Sequence, residues 1–329
     1  MAYDLEFEKP LADLEKRIVG MRKKGERLKR DEQEQLQKAE QELTRLTQEI
    51  YSRLTDWQTV QVSRHKDRPH ALDFVNLMCD DFFEMHGDRT FGDNPTILGG
   101  PARIGDTTVM MLCHEKGRSL KEKRERNAGQ AHPEGFRKAQ RLMLQAEKFR
   151  LPVICLIDTP GASIALEDEE RGQSTAIATS IFQMAQLRVP IISTVIGEGG
   201  SGGALALGVA DHLFMLEYTY FSVAAPESVA SIIWRSTKFA AEAAEGQHIS
   251  ARRLHKLGLV DDLIPEPLGG AHHDSAAMAE TLKTTLLTTL EHLRQLAPDE
   301  LLARRYQKFR NIGVFSRAEA PPDLAASAD

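Results

Sequence analysis

Glycine is concentrated at two strand-to-helix turns of this sequence. The first turn is Asp158-Thr-Pro-Gly-Ala162, which follows an apolar run and precedes a helical pattern that begins near Glu169. The second is Gly197-Glu-Gly-Gly-Ser-Gly-Gly-Ala204, which also follows an apolar run and opens a helix. Without a Cβ, the backbone N–H groups of such a turn can hold a phosphate or the negative oxygen of an enolate or tetrahedral species. Because the two turns follow consecutive strands, we expect them to face one crevice.

A third loop, Ala225-Pro-Glu-Ser228, leads into a helix that contains Trp234. Neither glycine turn carries an obvious nucleophile, base or set of metal ligands. That absence fits chemistry in which backbone dipoles act on a substrate that is already reactive. Packing alone is an alternative reason for five glycines within seven residues, and it stays open.

Two other motif interpretations fit less well. Gly197, Gly199 and Gly202 satisfy G-x-G-x-x-G, with Glu217 following at the distance typical of a dinucleotide-binding fold. However, the helix between them is short for a Rossmann crossover. Asp158-Thr-Pro-Gly161 is similar to the magnesium-side motif of GTPases, but the sequence has no phosphate-binding loop of the G-x-x-x-x-G-K-[ST] type.

Charged and metal-binding residue types give weaker signals. The basic run Lys116–Arg126 fits a solvated face, or attraction of coenzyme A phosphates or of an acidic partner surface. His114 and the pair His272-His273 have no second ligand at metal spacing, which favours structural or surface roles and predicts no bound metal. Three cysteines without a C-x-x-C pair predict no disulfide framework and no zinc ribbon.

Composition limits the class of protein. The chain of 329 residues has a net charge of −6, which gives no reason to expect nucleic-acid binding. It contains no apolar run long enough to span a bilayer, and its acidic start lacks the apolar core of a signal peptide. We therefore expect a soluble cytoplasmic protein.

The elements that position the turns divide into an arm and a body. Apolar residues at helical spacing predict an antiparallel helical hairpin over residues 1–65, turning near Gly25, with Trp57 on the apolar face of its second helix. A two-helix hairpin cannot bury its apolar stripe alone, so it should pack on the body or another chain. The body is predicted over residues 66–315, and the Ala/Pro/Asp-rich residues 316–329 are predicted to be disordered.

Within the body, short apolar runs alternate with helical patterns, which is typical of a largely parallel sheet covered by helices. The predicted strands are Thr107–Cys113, Pro152–Asp158, Pro190–Ile196, His212–Glu217 and Leu259–Ile264. The predicted helices are Pro133–Phe149, Glu169–Leu187, Ser201–Ala210 and Ser275–Leu296.

Read together, these segments resemble the carboxyltransferase alpha subunits of multi-subunit acetyl-CoA carboxylases. The matching stretches are Leu72-Asp-Phe-Val75, Gly87-Asp-Arg89, Lys116-Gly-Arg118, Arg126-Asn127, Pro133-Glu-Gly-Phe-Arg-Lys-Ala139, Ile157-Asp-Thr-Pro-Gly-Ala162, Glu169-Glu-Arg-Gly-Gln-Ser174, Val195-Ile-Gly-Glu-Gly-Gly-Ser-Gly-Gly-Ala-Leu-Ala206 and Ile264-Pro-Glu-Pro-Leu-Gly-Gly-Ala-His272. Each is short, but the ordered set with its spacing is specific, and the likeness runs from about residue 4 to residue 312.

The resemblance implies an α/β fold of the ClpP/crotonase-like type, a spiral of ββα units with an N-terminal helical hairpin arm. It implies an α2β2 enzyme that moves the carboxyl group of carboxybiotin, borne by the biotin carboxyl carrier protein, onto acetyl-CoA to give malonyl-CoA. This is the first committed step of fatty acid synthesis. The beta subunit would bind most of the CoA thioester and carry the zinc ribbon, and biotin carboxylase would complete the ATP-dependent system.

The resemblance also assigns site residues. The backbone N–H groups of Gly202 and Gly203, with Gly199 and Gly200 beside them, are implied to form an oxyanion hole for the ureido oxygen of biotin. The residues implied to line the carboxybiotin pocket are Gly161, Ala162, Ser201, Pro226 and Glu227. No side-chain base is implied in this chain.

Two segments depart from the family pattern. Ser163–Asp168 replaces a Tyr-Pro-Gly-type segment, so the loop loses a ring, a rigid proline and two glycines and should follow a different path. Ser228 replaces a glycine. These changes keep open an alternative, a non-catalytic or impaired family member that serves as an assembly or regulatory subunit. A crotonase-like hydratase or hydrolase acting alone is a further alternative, but no clear catalytic glutamate or triad supports it.

Overall fold

The computed structural model describes residues 3–23 and 29–314. The predicted turn near Gly25 and the predicted tail, residues 316–329, lie outside the described residues. Among the described residues, no helix combines the length and the apolar character that a membrane crossing needs.

The N-terminal arm consists of two antiparallel helices, α1 (Lys9–Arg22) and α2 (Arg30–Ser52). Their direction follows from the contacts at both ends, since Glu8 meets Tyr51 and Arg22 donates to Glu40 at 2.6 Å. The hairpin was predicted, but the position of Trp57 on its second helix is wrong. A capping box at Thr55, whose hydroxyl accepts the N–H of Gln58, starts a separate helix that contains Trp57.

That separate helix, α3 (Asp56–Ser63), packs mainly on the body, and its Val62 also joins a buried cluster with Leu11 and Tyr51 of the arm. Its contacts with the body are with a strand pair at the centre of the sheet and with a helix that contains Glu245. The backbone N–H of Asp56 donates to the carboxylate of Glu245 at 2.6 Å. The residue after α3, Arg64, is thereby placed beside the ends of the central strands.

The body is built on one eight-stranded mixed sheet. Its strands are β1 (Asp81–Phe82), β2 (Ile97–Ile104), β3 (Thr107–His114), β4 (Val153–Thr159), β5 (Ile191–Gly200), β6 (His212–Leu216), β7 (Tyr220–Ser222) and β8 (Asp262–Ile264). The strand order is β1-β2-β3-β4-β5-β6-β8, with β7 paired to the end of β5. Strands β3, β4, β5, β6 and β8 run parallel, and β1 and β2 add an antiparallel edge.

Helices cover both faces of the sheet. They are α4 (Ala71–Met78), α5 (Leu120–Glu125), α6 (Pro133–Phe149), α7 (Leu166–Glu170), α8 (Gln173–Gln186), α9 (Ser201–Leu205), α10 (Pro226–Trp234), α11 (Ala240–Gln247), α12 (Ala251–Lys256), α13 (Ser275–Arg294) and α14 (Pro298–Arg310). One core packs α6 and α8 against the sheet, and the other packs α4 and α13 against the opposite face. Every residue of β4 and β5 is buried, as expected for central strands.

Several predicted element bounds need correction. The single helix predicted over Glu169–Leu187 is two helices, because Gly172 adopts a positive φ of 80° between α7 and α8. The helix predicted over Ser201–Ala210 ends at Leu205, and the strand predicted over Leu259–Ile264 covers only its last three residues. Strand β2, whose Gly99-Gly100-Pro101 is a poor strand sequence, was not predicted.

Candidate active site

The two glycine turns meet backbone to backbone at the carboxyl ends of β4 and β5. Thr159 pairs with Gly199 across the two strands. A Cβ at Gly200 would overlap the carbonyl group of Pro160, and a Cβ at Gly203 would lie 2.7 Å from the backbone nitrogen of Ala162. The two turns are therefore adjacent, as predicted, and their close approach requires glycine at both positions.

The backbone at both turns is bent away from ordinary conformations. Gly161 has a φ of 149°, and Ser201 has a φ of 50°, which is uncommon for a residue with a side chain. Helix α9 begins at Ser201, so Gly202 and Gly203 lie in its first turn. The N–H groups of a first turn have no acceptor within their own helix and are available to a ligand.

The first turn is held by a threonine side chain. The hydroxyl of Thr159 donates to the carbonyl oxygen of Gly129 at 2.6 Å and accepts the N–H of Gly161 at 3.1 Å. Gly129 belongs to a loop in which Asn127 and Ala128 also have positive φ values of 43° and 49°. Strained backbone of this kind persists only where the surroundings enforce it, and here it packs against the first glycine turn.

A buried group of charges lies at the base of both turns. The ammonium of Lys116 donates to Asp158 at 2.6 Å and to Glu198 at 2.5 Å. The other oxygen of Glu198 accepts from Arg64 and from the hydroxyl of Tyr220, each at 2.6 Å. We call these five residues, together with Glu227, the charged network.

The network stays ionised because its charges compensate one another. Burial alone would raise the pKa of Glu198, but Lys116 and Arg64 lower it to about 2. Burial alone would lower the pKa of Lys116, but Asp158 and Glu198 raise it above its usual value. A buried charge without a partner would cost several kcal/mol, so each member depends on the others.

Of the residues predicted in the third loop, Pro226 opens α10 and Glu227 lies in its first turn. The carboxylate of Glu227 accepts from Arg64 at 2.5 Å. Glu227 therefore reaches the site through Arg64, and its charge is already compensated.

The basic run does not act as one surface. The side chain of Lys116 lies in the charged network and is largely shielded from solvent, so the solvated-face interpretation is wrong at that position. Leu120–Glu125 of the run forms α5, on which no residue is buried. Ser119 caps this helix by accepting the N–H of Glu122 at 3.2 Å.

The segment that departs from the family pattern is anchored at its ends and exposed between them. Ser163 donates its N–H to the carbonyl of Ala131 at 3.1 Å. Asp168 is buried and accepts a hydrogen bond from Arg171 at 2.7 Å. Burial alone would raise the pKa of Asp168, but hydrogen bonds, including one with His132, lower it below its usual value. Between these anchors, Ile164 is 88% exposed.

Two cavities adjoin the turns. One, of about 330 Å³, has Arg64, Lys116, Asp158, Pro160 and Glu198 among its lining residues. The other, of about 500 Å³, is mostly apolar. It is lined by Ser201, Gly202, Leu205, Gly208, Leu213, Phe221, Ser222, Val223, Gln247, Ile249, Leu254, Leu259, Phe309 and Ile312.

The apolar cavity has no charged residue in its wall, and Gly202 of the first turn of α9 is among its lining residues. Such a wall suits an uncharged ligand. For metals, the described residues with suitable spacing are Asp4, His65 and Asp67. The ammonium of Lys66 already occupies that cluster, since it lies 2.7 Å from Asp4 and 2.8 Å from Asp67.

The structure brings together the predicted glycines of both turns, and it also shows residues that sequence reasoning missed. Glu198 occupies the first x position of the G-x-G-x-x-G motif, and Arg64 lies next to the end of the predicted arm, residues 1–65. The available signal for Glu198 was its position, because an ionisable residue at the end of a buried strand must find a partner. The dinucleotide interpretation is wrong, since Gly197 and Gly199 lie within β5 and not in a turn.

Comparison with known proteins identifies the family. A family model described as acetyl co-enzyme A carboxylase carboxyltransferase-like matches residues 4–313. A protein of Methylococcus capsulatus named acetyl-coenzyme A carboxylase carboxyl transferase subunit alpha is 51% identical over 94% of this chain and 97% of its own length. A protein of the same name from Listeria innocua is 47% identical over 96% of this chain and 99% of its own length.

A solved structure supports the fold independently. The beta subunit of geranyl-CoA carboxylase from Pseudomonas aeruginosa superposes with a TM-score of 0.54 at 15% identity. The match covers 80% of this chain and 48% of that one. The predicted crotonase-like α/β fold is thereby confirmed. With a family model that spans nearly the whole sequence and relatives near half identity, the chain belongs to the acetyl co-enzyme A carboxylase carboxyltransferase family, among its alpha subunits.

Proposed function

We propose that this chain is the alpha subunit of an acetyl-CoA carboxylase carboxyltransferase and acts with a beta subunit in an α2β2 assembly. The reaction transfers the carboxyl group of carboxybiotin, carried by the biotin carboxyl carrier protein, to acetyl-CoA and yields malonyl-CoA. Biotin carboxylase recharges the carrier, and the system works in the cytoplasm at the start of fatty acid synthesis. Family membership and the names of full-length relatives support this proposal.

One observation in the site carries the proposal furthest. Gly202, in the first turn of α9, lines an apolar cavity of about 500 Å³, and Gly203 is the next residue of that turn. Carboxybiotin supplies the activated carboxyl group, and its ureido oxygen becomes more negative as that group leaves. Two fixed backbone donors stabilise such charge without reorganising.

The remaining predicted residues have different relations to this cavity. Ser201 is among its lining residues, and the backbone of Gly161 and Ala162 packs against Gly203. Pro226 and Glu227 begin α10, and Glu227 contacts Arg64 of the charged network. Loss of one backbone donor of this kind would cost about 3–4 kcal/mol, or roughly a hundred- to a thousand-fold in rate.

The test is malonyl-CoA formation by this chain mixed with a beta subunit, carboxylated carrier protein and acetyl-CoA. We expect product from the mixture and none from either subunit alone. A stable complex without product would favour the alternative of a non-catalytic subunit. Product from this chain alone would contradict both.

A further inference from the structure

Three adjacent strands end beside one lysine. Lys116 follows β3 by two residues, Asp158 lies in β4, and Glu198 lies in β5. Because β3, β4 and β5 are neighbours in the sheet, a single ammonium joins the ends of all three. The side chain of Lys116 is only 13% exposed, so this bridge is shielded from water.

The bridge coincides with a break in the strand pairing. Ile157 pairs with Val195, but the next pair is Thr159 with Gly199. One residue of β4, Asp158, therefore lies opposite three residues of β5, and the regular backbone ladder is interrupted at the start of both glycine turns. An interrupted ladder leaves the position of the following residues to other contacts.

Side chains replace the missing ladder contacts. One oxygen of Asp158 accepts the backbone N–H of Glu198 at 2.8 Å and also contacts Lys116. A Cβ at Gly197 would overlap the carboxylate of Asp158, so the two strands approach closely here. Lys116 and its two carboxylates thus link the two turns at this break.

We propose that Lys116 is a positioning residue that holds the two glycine turns at the spacing needed for the oxyanion donors. The catalytic part of this inference rests on the proposed function. A phosphate-binding role for Lys116 is disfavoured because two carboxylates already surround its ammonium. Its burial between them also separates it from the rest of the basic run.

The first experiment compares Lys116→Met with Lys138→Met in complex with the beta subunit. Lys138 is a matched control, because it is fully buried and its ammonium contacts Asp93 at 2.6 Å and the carbonyl of Asn94 at 2.8 Å, away from the turns. Both variants should have a lower Tm. Only Lys116→Met should lower kcat a hundred-fold or more, with the KM for acetyl-CoA little changed, because misplaced donors stabilise the transition state less. Equal kcat values for the two variants would overturn the proposal.

A double variant separates positioning from simple stability. Lys116→Met with Asp158→Asn removes one unpaired buried charge, so Tm should recover relative to Lys116→Met while kcat stays low. Recovery of kcat together with Tm would show that Lys116 contributes only stability. If Lys116→Met does not fold, Lys116→Arg, which keeps the charge with a larger head, is expected to fold and show at least a ten-fold loss of kcat. An unchanged kcat in Lys116→Arg would contradict the proposal.

A readout without turnover keeps this inference distinct from the proposed function. Hydrogen exchange of the backbone amides in residues 159–162 and 199–203 should be faster in Lys116→Met than in Lys138→Met. Unchanged exchange in these two segments would overturn the positioning role even if the wild-type mixture is active. If the wild-type mixture is inactive but the amides still exchange faster in Lys116→Met than in Lys138→Met, the positioning role is supported and the proposed reaction is contradicted.

Discussion

At the residue scale, some shielded ionisable groups of this protein are charged and others are neutral. Lys116 and Glu198 are charged because they compensate each other. His114 is fully buried at the end of β3, and neither ring nitrogen has a hydrogen-bond partner among the described residues. Burial, with a smaller contribution from the charge of Lys116, lowers the pKa of His114 to about 3. The ring therefore stays neutral at the pH at which an exposed histidine becomes charged.

This makes His114 a source of acid sensitivity. As pH falls below about 6.5, the histidine of the unfolded chain takes up a proton, whereas the native ring does not do so until pH is near 3. Stability is therefore lost progressively over that range, by about 2 kcal/mol at pH 5. His114→Leu should remove this part of the pH dependence, as measured by urea unfolding at pH 7.5 and pH 5. The exposed His255→Leu is the control, and an equal flattening in both variants would contradict the assignment.

The candidate site was predictable from sequence only where it depends on local pattern. Gly202 and Gly203 were found because glycines after an apolar strand have few other uses. Arg64 was not predicted as a site residue, because its role depends on its contact with Glu198, which is 134 positions away in the chain. Which distant charges meet is decided by strand order, and a single sequence shows only that each buried charge needs a partner.

At the element scale, the two glycine turns form one unit. A Cβ at Gly200 would overlap the carbonyl group of Pro160, and neither backbone can move without disturbing β4 or β5. Local pattern predicted the central strands and gave α6 with its observed bounds, since their apolar periodicity is strong. It did not predict β2, which depends on its antiparallel partner, nor the break at Gly172, which a positive φ creates.

Gly200→Ala should force the turns apart. We expect a lower Tm and at least a hundred-fold loss of malonyl-CoA formation, because the oxyanion donors move with α9. The matched control is Gly246→Ala in α11, where an added Cβ meets nothing within 4 Å. That change should stabilise the helix by about 1 kcal/mol and leave turnover unchanged. Wild-type turnover in Gly200→Ala would show that the close approach of the turns is not needed.

At the scale of the whole molecule, α14, the last helix among the described residues, is joined to the body by one buried arginine. Arg305 of α14 donates to Asp211 at 2.8 and 2.7 Å. It also donates to the carbonyl oxygens of Met184, Leu187 and Val189. A single side chain thus supplies hydrogen-bond donors to backbone carbonyls at the end of α8 and just before β5. The sequence pattern did not predict α14.

Arg305→Met should leave these carbonyls and the carboxylate of Asp211 without their donor. Removing one partner of a buried ion pair costs roughly 3–5 kcal/mol, which urea unfolding would detect as a lower midpoint. The neighbouring Arg304→Met is the control, because Arg304 is exposed and pairs with Glu300 one helical turn away. That change should cost no more than about 0.5 kcal/mol. Similar losses in the two variants would contradict the role of Arg305.

The charged network also sets the order in which a newly synthesised chain can mature. Arg64 and Glu227 are 163 positions apart, and Lys116, Asp158 and Glu198 lie between them. While the ribosome is still adding β7 and α10, Arg64 has already emerged but lacks Tyr220 and Glu227. Strands β1 to β6 can pair before that point, but the charged network cannot be completed. A nascent chain stalled before Glu227 would also lack β8, so one edge of β6 would be unpaired. Unpaired strand edges make partly folded chains prone to aggregate, which makes this stage a natural one for chaperone binding.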